Sequence, residues 1–124
     1  MAKPLRVLLV EDSERDAALL NLYLRRGGYE ADVHRVDTRA ELDAQLRTGK
    51  WDVVVSDFNL PGFDAFATMK AVQESGHDIP FVVLSADYSP AVTERLVAAG
   101  ILHVCKYEIR KILPIIDDYM RDRP

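Results

Sequence analysis

Short apolar runs alternate with amphipathic segments along the whole chain, and the alternation repeats five times. "RVLLV" (6–10), "DVVVSD" (52–57) and "PFVVLS" (80–85) read as buried strands, "LHVC" (102–105) as a weaker one. "ADVHRV" (31–36) alternates as an edge or half-exposed strand does. Between them lie segments of helical period. The first runs from about Glu14 to Arg26, with Ala17, Leu20, Tyr23 and Leu24 on one face and Gly27 and Gly28 as its stop. Thr38 and Glu41 form a capping-box pattern ahead of Leu42 and Leu46, and Gly49 ends that helix. A third helix over about 64–75 is expected to bury Phe66, Met69 and Val72 and to end at Gly76. Ser89 and Pro90 make an N-cap and first-turn pair for a fourth, stopped by Gly100. A fifth is expected to begin near Pro114 and to present Ile115, Ile116, Tyr119 and Met120.

Continuous apolar strands separated by helices predict an α/β fold: a single, doubly wound, five-stranded parallel sheet covered by helices on both faces. One common order, 2-1-3-4-5, puts the first and third strands in the centre and is flavodoxin-like. Ligands of such sheets bind beyond the carboxyl ends of the strands, so the residues that follow each strand carry the information. Glu11, Asp12 and Ser13 follow the first strand, Asp57 the third, Ser85 the fourth and Lys106 the fifth. Singly, each has a bland reading: Asp12 or Ser13 as an N-cap, Asp57 as a turn residue, Lys106 as a solvated charge. Together they do not. The predicted order brings Glu11, Asp12 and Asp57 into one crevice, where three carboxylates cannot all stay ionised cheaply without a cation. Magnesium suits them, since it uses one or two carboxylates and completes its shell with water and phosphate oxygens. A metal, an aspartate, a hydroxyl and an ammonium around one crevice make a phosphoryl-binding site, and an aspartate can itself accept the phosphoryl group.

Bulk properties narrow the field. With 124 residues, 48% hydrophobic and 29% charged, the chain suits one soluble domain over 1–124, its core at about 5–121. Sixteen basic against twenty acidic residues leave a formal charge of −4, which argues against a nucleic-acid partner. One cysteine excludes an internal disulfide and a cysteine zinc site. The longest apolar runs fall far short of the roughly 20 residues of a membrane helix, so no membrane partner and a cytoplasmic setting are expected.

The segments "VEDS" (10–13), "SDFNLPGFD" (56–64), "LSA" (84–86) and "CK" (105–106) resemble, in order and spacing, the receiver domains of two-component response regulators. The resemblance spans Leu5 to about Arg121. It implies that Asp57 is the phosphoacceptor, that Glu11 and Asp12 hold magnesium together with Asp57 and the backbone carbonyl of Asn59, and that Ser85 and Lys106 engage phosphoryl oxygens. It further implies a phosphohistidine donor on a sensor histidine kinase or phosphotransfer protein, and a downstream protein or an attached output domain. The chain would then be no enzyme beyond phosphorylating and dephosphorylating its own aspartate.

Two positions depart from the family pattern. Tyr107 stands where proline usually follows the lysine. A cis bond there would cost about 2.5–4 kcal/mol, so a trans connection and a different path into the last helix are expected. His103 replaces the Tyr or Phe that moves inward on activation, which makes it the candidate switch residue. Leu19 and Leu22 lie off the buried stripe of the first helix. Three other readings compete: a degenerate receiver acting as an interaction module, a flavodoxin-like cofactor binder, and an aspartyl-phosphate phosphatase using Asp57 and Asn59. The acidic loop "EDSERD" repels a phosphate unless a metal intervenes, which disfavours the cofactor binder. The phosphatase usually has its nucleophile after the first strand and carries a cap domain.

Overall fold

The computed structural model describes residues 2–121, apart from Tyr88 and the side chain of Thr48. The outer ends of the predicted 1–124 domain therefore lie outside the described residues. Strands β1 (Lys3–Val10), β2 (Tyr29–Val36), β3 (Val53–Ser56), β4 (Phe81–Ser85) and β5 (Leu102–Cys105) form one sheet in the order β2-β1-β3-β4-β5, parallel throughout. Helices α1 (Glu14–Arg26), α2 (Arg39–Thr48), α3 (Ala65–Glu74), α4 (Pro90–Ala98) and α5 (Ile112–Arg121) connect and cover it. This is the predicted doubly wound fold.

The period of two along the central strands builds a core on each face. Leu5, Val7 and Leu9 of β1 pack with Val53 and Val55 of β3 against Leu20 and Leu24 of α1 and Ile112 and Ile116 of α5. Leu8, Val10 and Val54 point the other way, onto Leu42 and Leu46 of α2 and Ala71 and Val72 of α3. A third cluster seats Val92 and Leu96 of α4 on Phe58, Ala65 and Val83. The buried face of α3 is Ala65, Thr68, Ala71 and Val72. Phe66 and Met69, expected inside, are half-buried against that third cluster, and the Arg95 guanidinium lies 4.6 Å over the Phe66 ring.

Capping follows the sequence signals at Thr38 and Ser89, settles on Ser13 rather than Asp12 for α1, and adds Asp64 for α3: each accepts a backbone N–H in the first turn of its helix. Strand β2 begins two residues before its predicted start because Tyr29 is buried and its hydroxyl donates to Asp117 of α5. The other correction concerns α5. A 3-10 turn, Lys106–Lys111, follows β5 directly and buries Ile109, and α5 starts at Ile112 with Pro114 as its third residue. Proline still fits there, since first-turn N–H groups have no partner inside the helix. The peptide bond before Tyr107 is trans, as expected. No helix among the described residues is long and apolar enough to cross a membrane.

Candidate functional site

Strand register places the acidic residues. Pairing continues one residue beyond the ends of β1 and β3: the Glu11 N–H donates to the Val36 carbonyl and the Asp57 N–H to the Val10 carbonyl, each at 2.9 Å. Glu11 and Asp57 therefore stand side by side at the carboxyl edge. From β2, the Arg35 guanidinium donates to the Glu11 carbonyl at 3.2 Å and pairs with Glu14 and Asp37, tying down the loop between β1 and α1. Beyond Asp57 the chain turns back in a two-residue ribbon, Asn59–Leu60 opposite Phe63–Asp64. Gly62, at φ +84°, makes that turn in a backbone region that L side chains rarely adopt.

Lys106, the first residue after β5, reaches back across the edge. Its ammonium lies 2.7 Å from Asp16 Oδ2, 2.9 Å from Glu11 Oε2 and 3.1 Å from Asp57 Oδ2. The other Asp57 oxygen, Oδ1, accepts the Phe58 N–H at 2.7 Å. One carboxylate oxygen each from Glu11, Asp12 and Asp57 lie within 4.8 Å of one another. Glu11 is 2% exposed, whereas Asp12 is open to solvent. Burial, reinforced by the Asp57 charge, pushes the Glu11 carboxyl up to about 7 despite its bond to Lys106. Burial alone would pull the Lys106 ammonium down, but its bonds to Asp16 and Glu11 and the Asp57 charge outweigh that and hold it above the usual lysine range. A single cation thus leaves this cluster short of positive charge, and an oxygen-rich, carboxylate-lined group of this kind fits a hard divalent ion.

A model of the response regulator receiver domain matches residues 7–110. The chain belongs to that family.

Among curated relatives, this receiver domain is 35% identical over 81 residues to the transcriptional regulatory protein PcoR of Escherichia coli (65% of this chain, 35% of the relative). It is 32% identical over 110 residues to the two-component response regulator ORR26 of Oryza sativa (87% and 18%). It spans about a third of the length of the first four bacterial relatives it matches. Among solved structures, the non-phosphorylated HemR receiver domain of Leptospira biflexa superimposes with a TM-score of 0.76 at 26% identity, covering 98% of each chain. The receiver domain of the sensor histidine kinase PA1611 of Pseudomonas aeruginosa, solved with a magnesium ion in its own active-site cleft, gives 0.78 at 20% identity over 96% of this chain and 99% of that one.

The fold thus brings four of the predicted site residues, Glu11, Asp12, Asp57 and Lys106, into one cluster. Ser85 stands at the same edge, buried, and its hydroxyl accepts the Asp87 N–H at 3.1 Å. The Asn59 side chain is exposed, and its amide lies 3.5 Å from Asp87 Oδ2. His103 is half-buried on β5. Burial lowers its pKa, and the Asp87 charge opposes that shift. The receiver pattern did not single out Asp16, the shortest partner of Lys106. It lies three residues beyond the Ser13 N-cap, in the first turn of a helix that starts at the site, and that placement was the available signal.

Proposed function

We propose that this receiver domain accepts a phosphoryl group on Asp57 from a phosphohistidine of a sensor kinase or phosphotransfer protein. The observation that carries the reading is the arrangement around Asp57: a carboxylate at a strand end, fixed through Oδ1 by the Phe58 N–H and through Oδ2 by Lys106, beside two further carboxylates. Glu11, Asp12 and Asp57, with the Asn59 carbonyl, would hold magnesium, which neutralises charge on the transferring group. An Asp57 oxygen attacks phosphorus as the bond from phosphorus to the donor nitrogen breaks, and the freed imidazole takes a proton from water. Lys106, which stands beside Asp57, turns its ammonium to a phosphoryl oxygen, and the Ser85 hydroxyl, whose proton is not needed to hold Asp87, donates to another. The chain would turn over nothing but its own aspartyl phosphate, in a cytoplasmic setting, and would pass the signal to a downstream protein or attached output domain.

The test is incubation with magnesium and acetyl phosphate followed by intact-mass measurement. The expected product is one phosphoryl adduct on the wild type and none on Asp57→Asn. Equal labelling of both would refute the phosphoacceptor assignment. No labelling of the wild type would favour a phosphorylation-independent interaction module.

A further inference from the structure

The three protons of the Lys106 ammonium face three carboxylates, and those carboxylates are not equivalent. Glu11 and Asp57 belong to the oxygen cluster that fits a divalent cation; Asp16 does not. A divalent cation entering that cluster competes with the ammonium for the same lone pairs. Asp16 is set where it can resolve the competition. Its backbone N–H donates to Ser13 Oγ at 3.1 Å in the first turn of α1, its Oδ2 makes the shortest of the three ion pairs, and about a third of its side chain is exposed. The pair also borders a cavity of about 460 Å3 lined by Ser13, Arg15, Leu19 and Tyr107.

We propose that Asp16 is a positioning residue: it keeps Lys106 paired when a divalent cation takes the carboxylates of Glu11, Asp12 and Asp57. With Asp16 present, Lys106 gives up Glu11 and Asp57 without becoming a partly buried, uncompensated cation. Without Asp16, the remaining partners of the ammonium are the metal's own ligands, and magnesium must displace it from them. The inference rests on the phosphoacceptor reading above. It goes further by giving a role to a residue outside the metal cluster.

The experiment is a magnesium titration followed by the backbone amide shifts of Glu11, Asp12 and Asp57 at fixed pH and ionic strength. The chains compared are wild type, Asp16→Asn, Asp16→Glu, Lys106→Met and the double variant Asp16→Asn with Lys106→Met. Asp16→Asn should weaken magnesium binding about three- to tenfold, toward the low end of the coupling between contacting groups because the pair is partly exposed. Asp16→Glu should restore most of it. Because the Ser13 cap uses only the Asp16 backbone, both variants retain it. A nearby carboxylate also attracts a cation through space, so the decisive arm is the Lys106→Met background, where the Asp16→Asn effect should shrink to that small through-space remainder. A loss of equal size in that background, or wild-type affinity in Asp16→Asn, would overturn the proposal while leaving the phosphoacceptor reading intact. Failure of the wild type to bind magnesium would overturn both.

Discussion

The two ends of the central strands β1 and β3 are built on opposite principles. At the amino end, Arg6 and Asp52 are joined by two hydrogen bonds: the Asp52 N–H donates to the Arg6 carbonyl at 2.9 Å, and the Arg6 N–H donates to the Asp52 side chain at Oδ2, 2.7 Å away. The Arg6 guanidinium lies 4.6 Å over the ring of Trp51, which is 5% exposed and donates its indole N–H to the Gln45 carbonyl at 3.0 Å. Each of these contacts favours folding. At the carboxyl end, a few residues along the same strands, Glu11, Asp57 and Asp16 crowd around one ammonium, and Asp12 adds a further carboxylate beside Glu11 and Asp57. There the fold holds together charges that repel, and a buried carboxyl is left titrating near neutrality. We expect stability to concentrate at the first end and, under the proposed function, the binding of a cation or a phosphoryl group to concentrate at the second.

The largest way to break this comparison is to attack the amino end. Trp51→Ala should destabilise the domain by about 3–5 kcal/mol, the usual range for losing a large buried aromatic, as measured by urea unfolding. Gly49→Ala should act in the same direction, by about 1–3 kcal/mol, since the added Cβ would lie 2.2 Å from Trp51 Nε1. Neither change should alter the magnesium response of the folded protein. A loss below about 1 kcal/mol in Trp51→Ala would show that the amino end is not where stability is concentrated.

At the carboxyl end the expected effect has the opposite sense. The Glu11 carboxyl titrates near 7 in the folded state against 4.5 ordinarily, so the folded state binds more protons between those values and loses stability as pH rises through them. Below about 4.5 the penalty is absent; above about 7 it is complete, on the order of 3 kcal/mol. In metal-free buffer, Glu11→Gln should flatten the decline in urea-unfolding stability between pH 5 and pH 8. A wild-type decline that survives Glu11→Gln would move the burden to another group.

Magnesium should then relieve what pH imposes. Binding to the folded state alone contributes about 2.7 kcal/mol at a hundredfold excess over the dissociation constant, and the melting temperature should rise accordingly. Asp12→Ala should remove most of that rise while leaving the Trp51 end untouched. A melting curve unchanged across millimolar magnesium in the wild type would mark the acidic cluster as an inert relic of its family.

The same contrast explains what was legible in the sequence. Periodicity and end residues specify the strands and helices, the caps Thr38 and Ser89, and the strand-end positions of Glu11, Asp57 and Lys106, because all of these are local patterns; the sheet order was one common choice among few topologies, and Ser13 shared the first cap with Asp12. Three features were out of reach because they depend on contacts between distant segments. The start of α5 at Ile112 depends on the 3-10 turn that buries Ile109. Tyr29 joins β2 because Asp117, 88 residues later, takes its hydroxyl. Asp16 pairs with Lys106 across a separation of 90 residues, and only the folded sheet edge brings them together.

His103 offers the smallest expected effect, because it lies between the two regimes: an ionisable group on a half-buried strand position, away from the acidic cluster. In the family pattern an aromatic at this position moves inward when the hydroxyl after β4 is drawn to the phosphoryl group, and under the proposed function an imidazole would have to make that movement here. Burial already lowers its pKa below 6.5, with the Asp87 charge opposing the shift. The neutral ring is thus favoured in the folded state, and the stability it contributes is present above pH 6.5 and lost as pH falls below that value. Inward packing of a neutral ring should therefore be insensitive to pH above 6.5 and weaken below it. The comparison to make is between amide shifts on α4, β5 and α5 with and without beryllofluoride at pH 5.5 and pH 7.5. The wild type should respond less at the lower pH, and His103→Phe should respond equally at both. A wild-type response of equal size at the two pH values, preserved in His103→Ala, would remove His103 from the switch.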